Sequence, residues 1–245
     1  MRPVDVAVED VHCWFTPVIG RKRRVLEVGC GAGDLARVLG ADGFTVTALD
    51  LELGERDPAP GVTWVEADFL AHIDDPFDAV LFTRSLHHIP ALDRALEHAI
   101  RLLRPGALLC IDDFDHEAAD VETARWYYEQ VELLIAGGIC AGCHDHGDEG
   151  HQRPVSQDPL VRWRADHQHS PPFHSGADMI AAVADRFARV STRRGPYLYR
   201  SIASLVESSE RGAAVTSQVY AAESRRLQEA ALMAIGLRIT ANAPS

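Results

Sequence analysis

The order of apolar runs and amphipathic stretches in the first half of the chain predicts alternating strands and helices. Short apolar runs, bounded by turn residues or charges, indicate five strands at about 25–28, 44–49, 62–65, 77–83 and 107–111. A helix is predicted over about 34–39, and an apolar stripe from Leu92 to Leu103 predicts another before the fifth strand. This alternation is typical of a parallel sheet with helices on both faces.

The second half adds a long insertion and a closing segment. Residues 115–176 follow the fifth strand and contain a predicted helix at about 121–135. Strand six is predicted at 188–192 and strand seven at 197–202, with Gly195 and Pro196 forming the turn between them. Residues 207–236 have the pattern of a long C-terminal helix.

A glycine-rich turn follows the first strand. Gly29, Gly31 and Gly33 stand at every second position, preceded by Glu27, and a helical pattern starts at Asp34. The dinucleotide fingerprint needs its third glycine three positions after the second, so this spacing departs from it. Asp34 would repel a pyrophosphate, whereas Glu27 suits a ligand with an ammonium group. Both departures point away from NAD and towards a cationic amino-acid nucleoside.

This segment resembles motif I of the class I S-adenosylmethionine (SAM)-dependent methyltransferases. The resemblance covers about 21–114, with an acid after strand two, an acid plus an apolar residue after strand three, an LHH segment after strand four and an Arg-Pro-Gly turn before strand five. It implies SAM as the cofactor. The residues predicted to bind it are Glu27, Gly29, Cys30, Gly31, Gly33, Asp50, Leu51, Asp68, Phe69, Thr83 and Arg84.

Within this set the resemblance implies specific contacts. Asp50, about 20 residues past the glycines, would hold the ribose hydroxyls, with Glu52 as the alternative. Asp68 and Phe69 would contact the adenine, while a loop or helix-cap aspartate is the other interpretation of Asp68.

The resemblance also implies the fold. We expect a doubly wound, Rossmann-like α/β fold with a seven-stranded sheet, mostly parallel, closed by an antiparallel hairpin. Residues 21–114 would form the first part of the SAM-binding core and 115–176 a mainly helical, His-rich insertion that serves as a substrate lid. Residues 177–206 would complete the core, and 207–245 would form the C-terminal helix.

Composition narrows the choice of partners and compartment. The net charge of −12 argues against binding to nucleic acid or to an anionic membrane surface. The first ten residues lack a secretory signal, and no apolar run is long enough for a transmembrane helix. Five cysteines, an odd number, indicate reduced thiols in the cytoplasm. We therefore expect a cytoplasmic protein with a small-molecule substrate, and a homodimer is one assembly that the C-terminal helix allows.

Three residues near the carboxyl ends of strands four and five are candidates for catalysis. His87 and His88 could take a proton at neutral pH, although local packing or helix capping is the alternative for either. They are adjacent, so only one is expected to face the ligand. Either Asp112 or its neighbour Asp113 could hold a substrate amine or hydroxyl, and the alternative is that one of them caps the next helix; Asp112 is the residue selected.

The insertion is rich in histidine, a common ligand of transition metals. His144 and His146, and His167 and His169, form two His-x-His pairs that could bind a divalent metal such as zinc, iron or nickel. Their spacing matches no standard finger, so no metal ligand is assigned. The alternative is a polar lid whose histidines line a substrate pocket or face water.

The sequence thus predicts a SAM-dependent methyltransferase that acts on an oxygen, nitrogen or carbon nucleophile of a small molecule. One alternative keeps SAM but uses its aminopropyl carbons, by aminocarboxypropyl transfer or cyclisation. Another is a non-catalytic SAM-fold or metal-binding protein with the C-terminal helix as an assembly surface.

Overall fold

The computed structural model describes residues 1–20, 23–140 and 158–245. The strands are β1 (Arg24–Val28), β2 (Thr45–Asp50), β3 (Val62–Glu66), β4 (Phe77–Thr83), β5 (Leu103–Phe114), β6 (Ala188–Gly195) and β7 (Gly236–Asn242). The helices are α1 (Pro3–Ile19), α2 (Asp34–Ala41), α3 (Leu92–Leu102), α4 (Val121–Ala136), α5 (Pro159–Asp166), α6 (Gly176–Ala184), α7 (Leu198–Leu205) and α8 (Glu210–Gln228). Short 3-10 turns lie at Phe69–Ala71, Leu86–His88 and His116–Ala118.

The seven strands form one mixed sheet in the order β3-β2-β1-β4-β5-β7-β6. The first five are parallel to one another. Ala243 donates to the Ala107 carbonyl near one end of the β5–β7 pair and Arg238 bonds Asp112 near the other, so β7 is antiparallel to β5. This architecture confirms the predicted fold class.

Apolar side chains alternate between the two faces of the sheet, as the period of a strand requires. Val25, Ala79 and Leu81 pack on one face with α1 and α2. On the other face, Leu26 and Val80 join the core formed with α3, α6 and β7. Burial on both faces explains the nearly continuous apolar runs in the central strands.

The predicted position of strand seven is wrong. Residues 198–205 form α7, and the seventh strand is Gly236–Asn242, beyond the end of α8. The predicted helix over 207–236 is therefore shorter, Glu210–Gln228. The β7 segment carries a period-2 signal, because Leu237, Ile239 and Ala241 are buried and alternate with more exposed residues.

Glu223 accounts for the helix at 198–205. Its carboxylate accepts the backbone N–H groups of Tyr197, Leu198 and Tyr199 at 2.7–3.0 Å. These are groups that a helix leaves unbonded at its N-terminus. A carboxylate 24 residues away in sequence therefore favours a helix where the aromatic and β-branched residues favour a strand.

The Arg104-Pro105-Gly106 segment follows the end of α3 at Leu102, as predicted, but it already belongs to β5, which starts earlier than the predicted residue 107. It lies inside β5, where the pairing register with β4 shifts between Phe77 and Ala79. Phe77 pairs with Leu103 and Ala79 with Leu108, so β5 has extra residues at this point.

The chain divides into two compact units. The sheet unit contains Val8–Phe114, Ser170–Arg193 and Leu237–Ser245. The helical unit contains Met1–Ala7, Asp115–His169 and Arg194–Gly236. Within the helical unit α4 packs on α5 and α7 on α8. None of the helices in the described residues is both long and apolar enough to cross a membrane.

Candidate functional site

The turn between β1 and α2 brings backbone N–H groups to the carboxyl end of the sheet. Gly29 and Cys30 donate to a β2 carbonyl at 2.8 and 3.1 Å, which ties the turn to the sheet. Gly33 has a φ of +77°, and a Cβ there would lie 2.4 Å from the Trp64 ring, so glycine is required. A Cβ on Gly31 would meet no heavy atom within 4 Å beyond its chain neighbours, so this glycine faces open space.

Glu27 is a buried carboxylate, and one of its two oxygens accepts no hydrogen bond from the described residues. It is 2% exposed, and the Thr83 hydroxyl donates to Oε1 at 3.0 Å. Oε2 is buried and has no hydrogen-bond partner in the part of the chain that the structure describes. Burial raises the pKa of Glu27 to about 7; the Thr83 hydrogen bond and Arg84 lower this pKa, whereas the negative charges of Asp34 and Asp50 raise it. A cation that reached Oε2 would stabilise the ionised form.

A cleft of about 470 Å³ opens beside this turn. Its walls come from the segments that follow β1, β2, β3 and β4, which is where ligands bind in open α/β sheets. The lining residues are Val28, Gly29, Leu49, Asp50, Leu51, Ala67, Asp68, Phe69, Leu70, Arg84, Ser85, His88, Ile89 and Pro90.

The predicted cofactor residues fall into two groups around this cleft. Those that line it are Gly29, Asp50, Leu51, Asp68, Phe69 and Arg84. Those outside its lining are Glu27, Cys30, Gly31, Gly33 and Thr83. The second group adjoins the first, because Gly31 donates to Asp50 Oδ2 at 2.8 Å and Thr83 precedes Arg84.

The two aspartates of the cleft accept backbone N–H groups, two at Asp50 and one at Asp68, and both keep acceptor sites for a ligand. Asp50 accepts the Gly31 N–H, and Asp68 Oδ1 accepts the Leu70 N–H at 2.9 Å. Asp68 therefore caps the turn at Phe69–Ala71 and also lines the cleft. A carboxylate has about four acceptor sites, so both residues can still bind ligand hydroxyl or amino groups.

The turn after β4 forms part of the cleft wall, as its position after a parallel strand predicts, and Ile89 and Pro90 are the residues of this wall that the sequence prediction missed. Ser85, Ile89 and Pro90 line the cleft, and the Ser85 hydroxyl donates to the Val28 carbonyl at 2.5 Å. The signal available was position alone, since these residues follow the carboxyl end of a parallel strand. Arg84, at the start of this turn, has a φ of +53°, which is uncommon for a residue with a side chain.

His87 and His88 have different surroundings. His88 is exposed and lines the cleft, whereas His87 is 4% exposed. Their ring centroids lie 4.0 Å apart, and Phe173 meets both rings edge-on at 4.7 and 4.6 Å. His87 Nδ1 lies 2.6 Å from Oδ1 of Asp113, a residue that the sequence prediction did not select.

Asp112 does not contact His87 in the described contacts but pairs with an arginine of β7. Its Oδ1 accepts a hydrogen bond from Arg238 Nε at 2.8 Å, and Arg238 also bonds Asp10 at 2.7 Å. The carboxylate is therefore an acceptor for a β7 arginine, and Asp113 rather than Asp112 contacts His87. The predicted role of Asp112 in holding a substrate group has no support from these contacts.

The histidine-rich insertion is described in part. His144 and His146 lie outside the described residues. His167 Nδ1 lies 2.8 Å from the Trp163 carbonyl, and burial lowers the pKa of His167, whereas His169 is exposed. Within 1–20, 23–140 and 158–245, no three His, Cys, Asp or Glu side chains gather as a metal site. The metal site stays an untested prediction.

The chain is similar in sequence to several methyltransferases. The chain is 36% identical over 105 residues to 2-phytyl-1,4-naphtoquinone methyltransferase of Nostoc punctiforme, over 36% of this chain and 45% of that protein. It is 29% identical over 162 residues to demethylmenaquinone methyltransferase of Clavibacter sepedonicus, over 60% of this chain and 64% of that protein. The chain thus spans about half the length of the curated relatives it matches.

A solved structure shares the fold at low identity. It is the 1,6-didemethyltoxoflavin-N1-methyltransferase of Burkholderia thailandensis with bound 1,6-didemethyltoxoflavin and S-adenosylhomocysteine, with a TM-score of 0.51 and 16% identity over 98% of this chain and 79% of that chain. Residues 9–173, well over half of the chain, match the family described as Methyltransferase domain. The turn, the acids around it and this match lead to one conclusion: the chain belongs to the Methyltransferase domain family.

Proposed function

We propose that this protein is a SAM-dependent methyltransferase that acts on an oxygen, nitrogen or carbon nucleophile of a small molecule. The observation that carries the proposal is Glu27, a buried carboxylate whose Oε2 has no partner among the described residues. Burying a charge without a partner is unfavourable. The ammonium group of SAM is a cation that could pair with this oxygen.

The residues present fit the rest of that cofactor. Gly31 leaves room for a ligand on the side where a Cβ would stand, since an added Cβ would meet no heavy atom within 4 Å there. Asp50 has free acceptor sites for the ribose hydroxyls, and Asp68 and Phe69 present an acceptor and a ring face for the adenine. When bound, SAM supplies an electrophilic methyl group on a sulfonium.

The chain itself would contribute alignment and exclusion of water. Val28, Leu49, Phe69 and Ile89 give the cleft apolar walls. Such walls strengthen electrostatic contacts inside the site and restrict the ligand to few orientations. Because methyl transfer needs an in-line arrangement, orientation can supply a large part of the rate enhancement.

Two observations support a small molecule as the acceptor. The cleft of about 470 Å³ lies within the range of about 300–1,000 Å³ that is usual for small-molecule sites. The curated relatives named above are methyltransferases of quinone-type compounds, by their names. We therefore favour hydroxyaromatic acceptors within the class of small molecules.

Calorimetric titration with S-adenosylhomocysteine at pH 8 tests the cofactor. We expect the wild-type protein to bind, and Glu27→Gln to bind about 10- to 100-fold more weakly because the ammonium loses an ionised partner. Glu66→Gln is the matched control, since its oxygen can still accept the backbone N–H of Leu53. Failure of the wild-type protein to bind at high micromolar ligand would refute the proposal.

The reaction type needs a second measurement. Wild-type protein is incubated with SAM and small hydroxyaromatic probes, and the products are separated by chromatography. S-adenosylhomocysteine together with a methylated probe supports methyl transfer. Methylthioadenosine as the main product would instead indicate chemistry at the aminopropyl carbons.

A further inference from the structure

Arg84 supplies a positive charge to a cleft that otherwise carries carboxylates. Among the described residues that line the cleft it is the one arginine, and no lysine accompanies it. Asp50 and Asp68 are the acids of the lining, and the whole chain has a net charge of −12. An anionic group of a ligand is therefore repelled by most of this cleft and attracted to Arg84.

The side chain of Arg84 has unused capacity for hydrogen bonds. The residue is exposed, and its guanidinium makes no hydrogen bond or ion pair with the residues of 1–20, 23–140 and 158–245. A guanidinium presents its N–H donors as a planar fork that matches the two oxygens of a carboxylate. The whole fork of Arg84 is thus available to a ligand in the cleft.

The backbone of Arg84 is held in an unfavourable conformation. Its φ of +53° is one that glycine adopts without cost and that residues with a Cβ adopt rarely. Two hydrogen bonds keep the turn in place: the Arg84 N–H donates to the Asp112 carbonyl at 2.8 Å, and the Ser85 hydroxyl donates to the Val28 carbonyl at 2.5 Å. An arginine in a position that suits glycine, with a side chain that bonds no described residue, indicates a role in binding.

Arg84 also lies near the buried carboxylate of Glu27. Thr83, its neighbour in the chain, donates to Glu27 Oε1 at 3.0 Å. Burial raises the pKa of Glu27; Arg84 lowers this pKa, and its effect is larger than that of the cleft residue Asp50. The guanidinium of Arg84 is therefore within electrostatic range of the carboxylate whose Oε2 has no partner among the described residues.

An acid and a base placed in this way match the two charges of an α-amino acid, in which the ammonium and the carboxylate are attached to the same carbon. We propose, on the basis of the function proposed above, that Arg84 binds the carboxylate of the amino-acid end of SAM while Glu27 binds its ammonium group. Arg84 is then the residue by which the cleft selects ligands that carry this carboxylate.

A second arginine near the glycine turn, Arg56, is less suited to this role. Its Nη2 already donates to the Gly31 carbonyl at 3.0 Å, its Nε is buried, and it does not belong to the cleft lining. These contacts tie Arg56 to the backbone of the turn. Arg56→Gln should therefore weaken ligands with and without a carboxylate to the same extent.

Two ligands that differ only in the carboxylate test the assignment. They are S-adenosylhomocysteine and its decarboxylated analogue, in which a hydrogen replaces the carboxylate, and calorimetry at pH 8 measures both dissociation constants. We expect the wild-type protein to bind S-adenosylhomocysteine about tenfold more tightly than the analogue. Arg84→Gln should weaken the binding of S-adenosylhomocysteine about tenfold and that of the analogue by less than about twofold.

Three further variants separate a carboxylate contact from a general effect of charge. Arg84→Lys keeps the charge but not the planar fork, so it should retain part of the preference for S-adenosylhomocysteine. Glu27→Gln should weaken both ligands, because both carry the ammonium group. Arg94→Gln removes an exposed arginine of α3 outside the cleft lining and should leave both affinities unchanged. Circular dichroism verifies that each variant is folded.

Each outcome decides between the two proposals. Arg84→Gln binding that falls equally for both ligands, or for neither, would overturn the assignment of Arg84. A wild-type protein that binds S-adenosylhomocysteine and the decarboxylated analogue equally well would also overturn it while leaving the proposed function intact. A wild-type protein that binds neither ligand would refute the proposed function itself, and the carboxylate site with it.

Discussion

Replacing Glu27 by glutamine should make the ligand-free protein more stable and a weaker binder at the same time. The pKa of Glu27 is raised to about 7 by burial, compared with 4.5 for a free glutamate side chain. At about 1.4 kcal/mol per pKa unit, this difference means that the ionised carboxylate destabilises the fold by about 3 kcal/mol at pH 8. Glutamine removes the charge, and its oxygen can still accept the Thr83 hydroxyl.

The stability that Glu27→Gln gains is partly offset by an unsatisfied hydrogen-bond donor, and it depends on pH. The new amide NH₂ would lie where Oε2 has no partner among the described residues, and an unsatisfied donor costs about 1–2 kcal/mol. The net gain at pH 8 is therefore about 1–2 kcal/mol. Because the folded pKa is the higher one, the charge penalty is absent below pH 4.5, grows as the pH rises to about 7 and is constant above it.

Binding should change in the opposite direction. An ammonium ligand pairs with the ionised form of Glu27, so in the wild-type protein the affinity for S-adenosylhomocysteine should increase from pH 6 to pH 8 as the pKa of about 7 is passed. In Glu27→Gln the affinity should be lower throughout and lack this rise. A gain in stability together with a loss of affinity is typical of residues that evolved for binding.

Urea unfolding at pH 6 and pH 8, followed by circular dichroism, measures the stability of both proteins, and calorimetry measures the affinity. We expect the advantage of Glu27→Gln to be about 1 kcal/mol smaller at pH 6 than at pH 8. Glu66→Gln is the control, because Glu66 is exposed and its carboxylate is already satisfied by the N–H groups of Leu53 and Gly54. A variant less stable than wild type at pH 8, with no pH dependence, would refute the reasoning.

Three further results follow from the contacts described above. Gly31→Ala should lower the affinity for S-adenosylhomocysteine and cost about 1 kcal/mol of stability, because alanine is strained at a positive φ. Gly33→Ala should lower the melting temperature more, because its Cβ would also overlap the Trp64 indole ring. Thermal denaturation in which Gly31→Ala is the less stable variant would contradict this. Glu223→Ala should lower the free energy of unfolding by about 3 kcal/mol or more, since three backbone N–H groups lose their acceptor, and unchanged urea unfolding would argue against this cap. Asp112→Asn should destabilise the protein by about 1 kcal/mol, because Arg238 loses one carboxylate partner and keeps Asp10. High salt should reduce the difference in stability from wild type if the lost ion pair is the cause.

Much of the fold could be predicted because its signals are local. The five parallel strands and α3 follow from apolar runs and an amphipathic stripe, each readable within about a dozen residues. Strand seven could not be placed, because the aromatic run at 197–202 favours a strand by composition. The carboxylate of Glu223 that caps α7 lies far away in sequence.

In the candidate site, too, the local features were predictable and the contacts between distant residues were not. The glycine turn and the acids around it are recognisable in sequence because spacing alone defines them. The partners of the candidate catalytic residues cannot be recognised in the sequence. Arg238 is 126 residues from Asp112, and with β7 unrecognised there was no reason to bring the two together. The choice of Asp113 over Asp112 depends on which face of β5 each side chain occupies, and a slip of one residue reverses it.

The place of β7 in the sheet also sets an order of assembly during synthesis. β7 lies between β5 and β6 but follows both in sequence. Until residues 236–242 leave the ribosome, β5 has one unpaired edge and β6 has no neighbour in the sheet. Leu109, Cys110 and Ile111 of β5 are fully buried in the folded protein, so an apolar strand edge would be open to other chains while residues 115–235 are being made. The growing chain is therefore exposed to aggregation through this edge until its seventh strand is made.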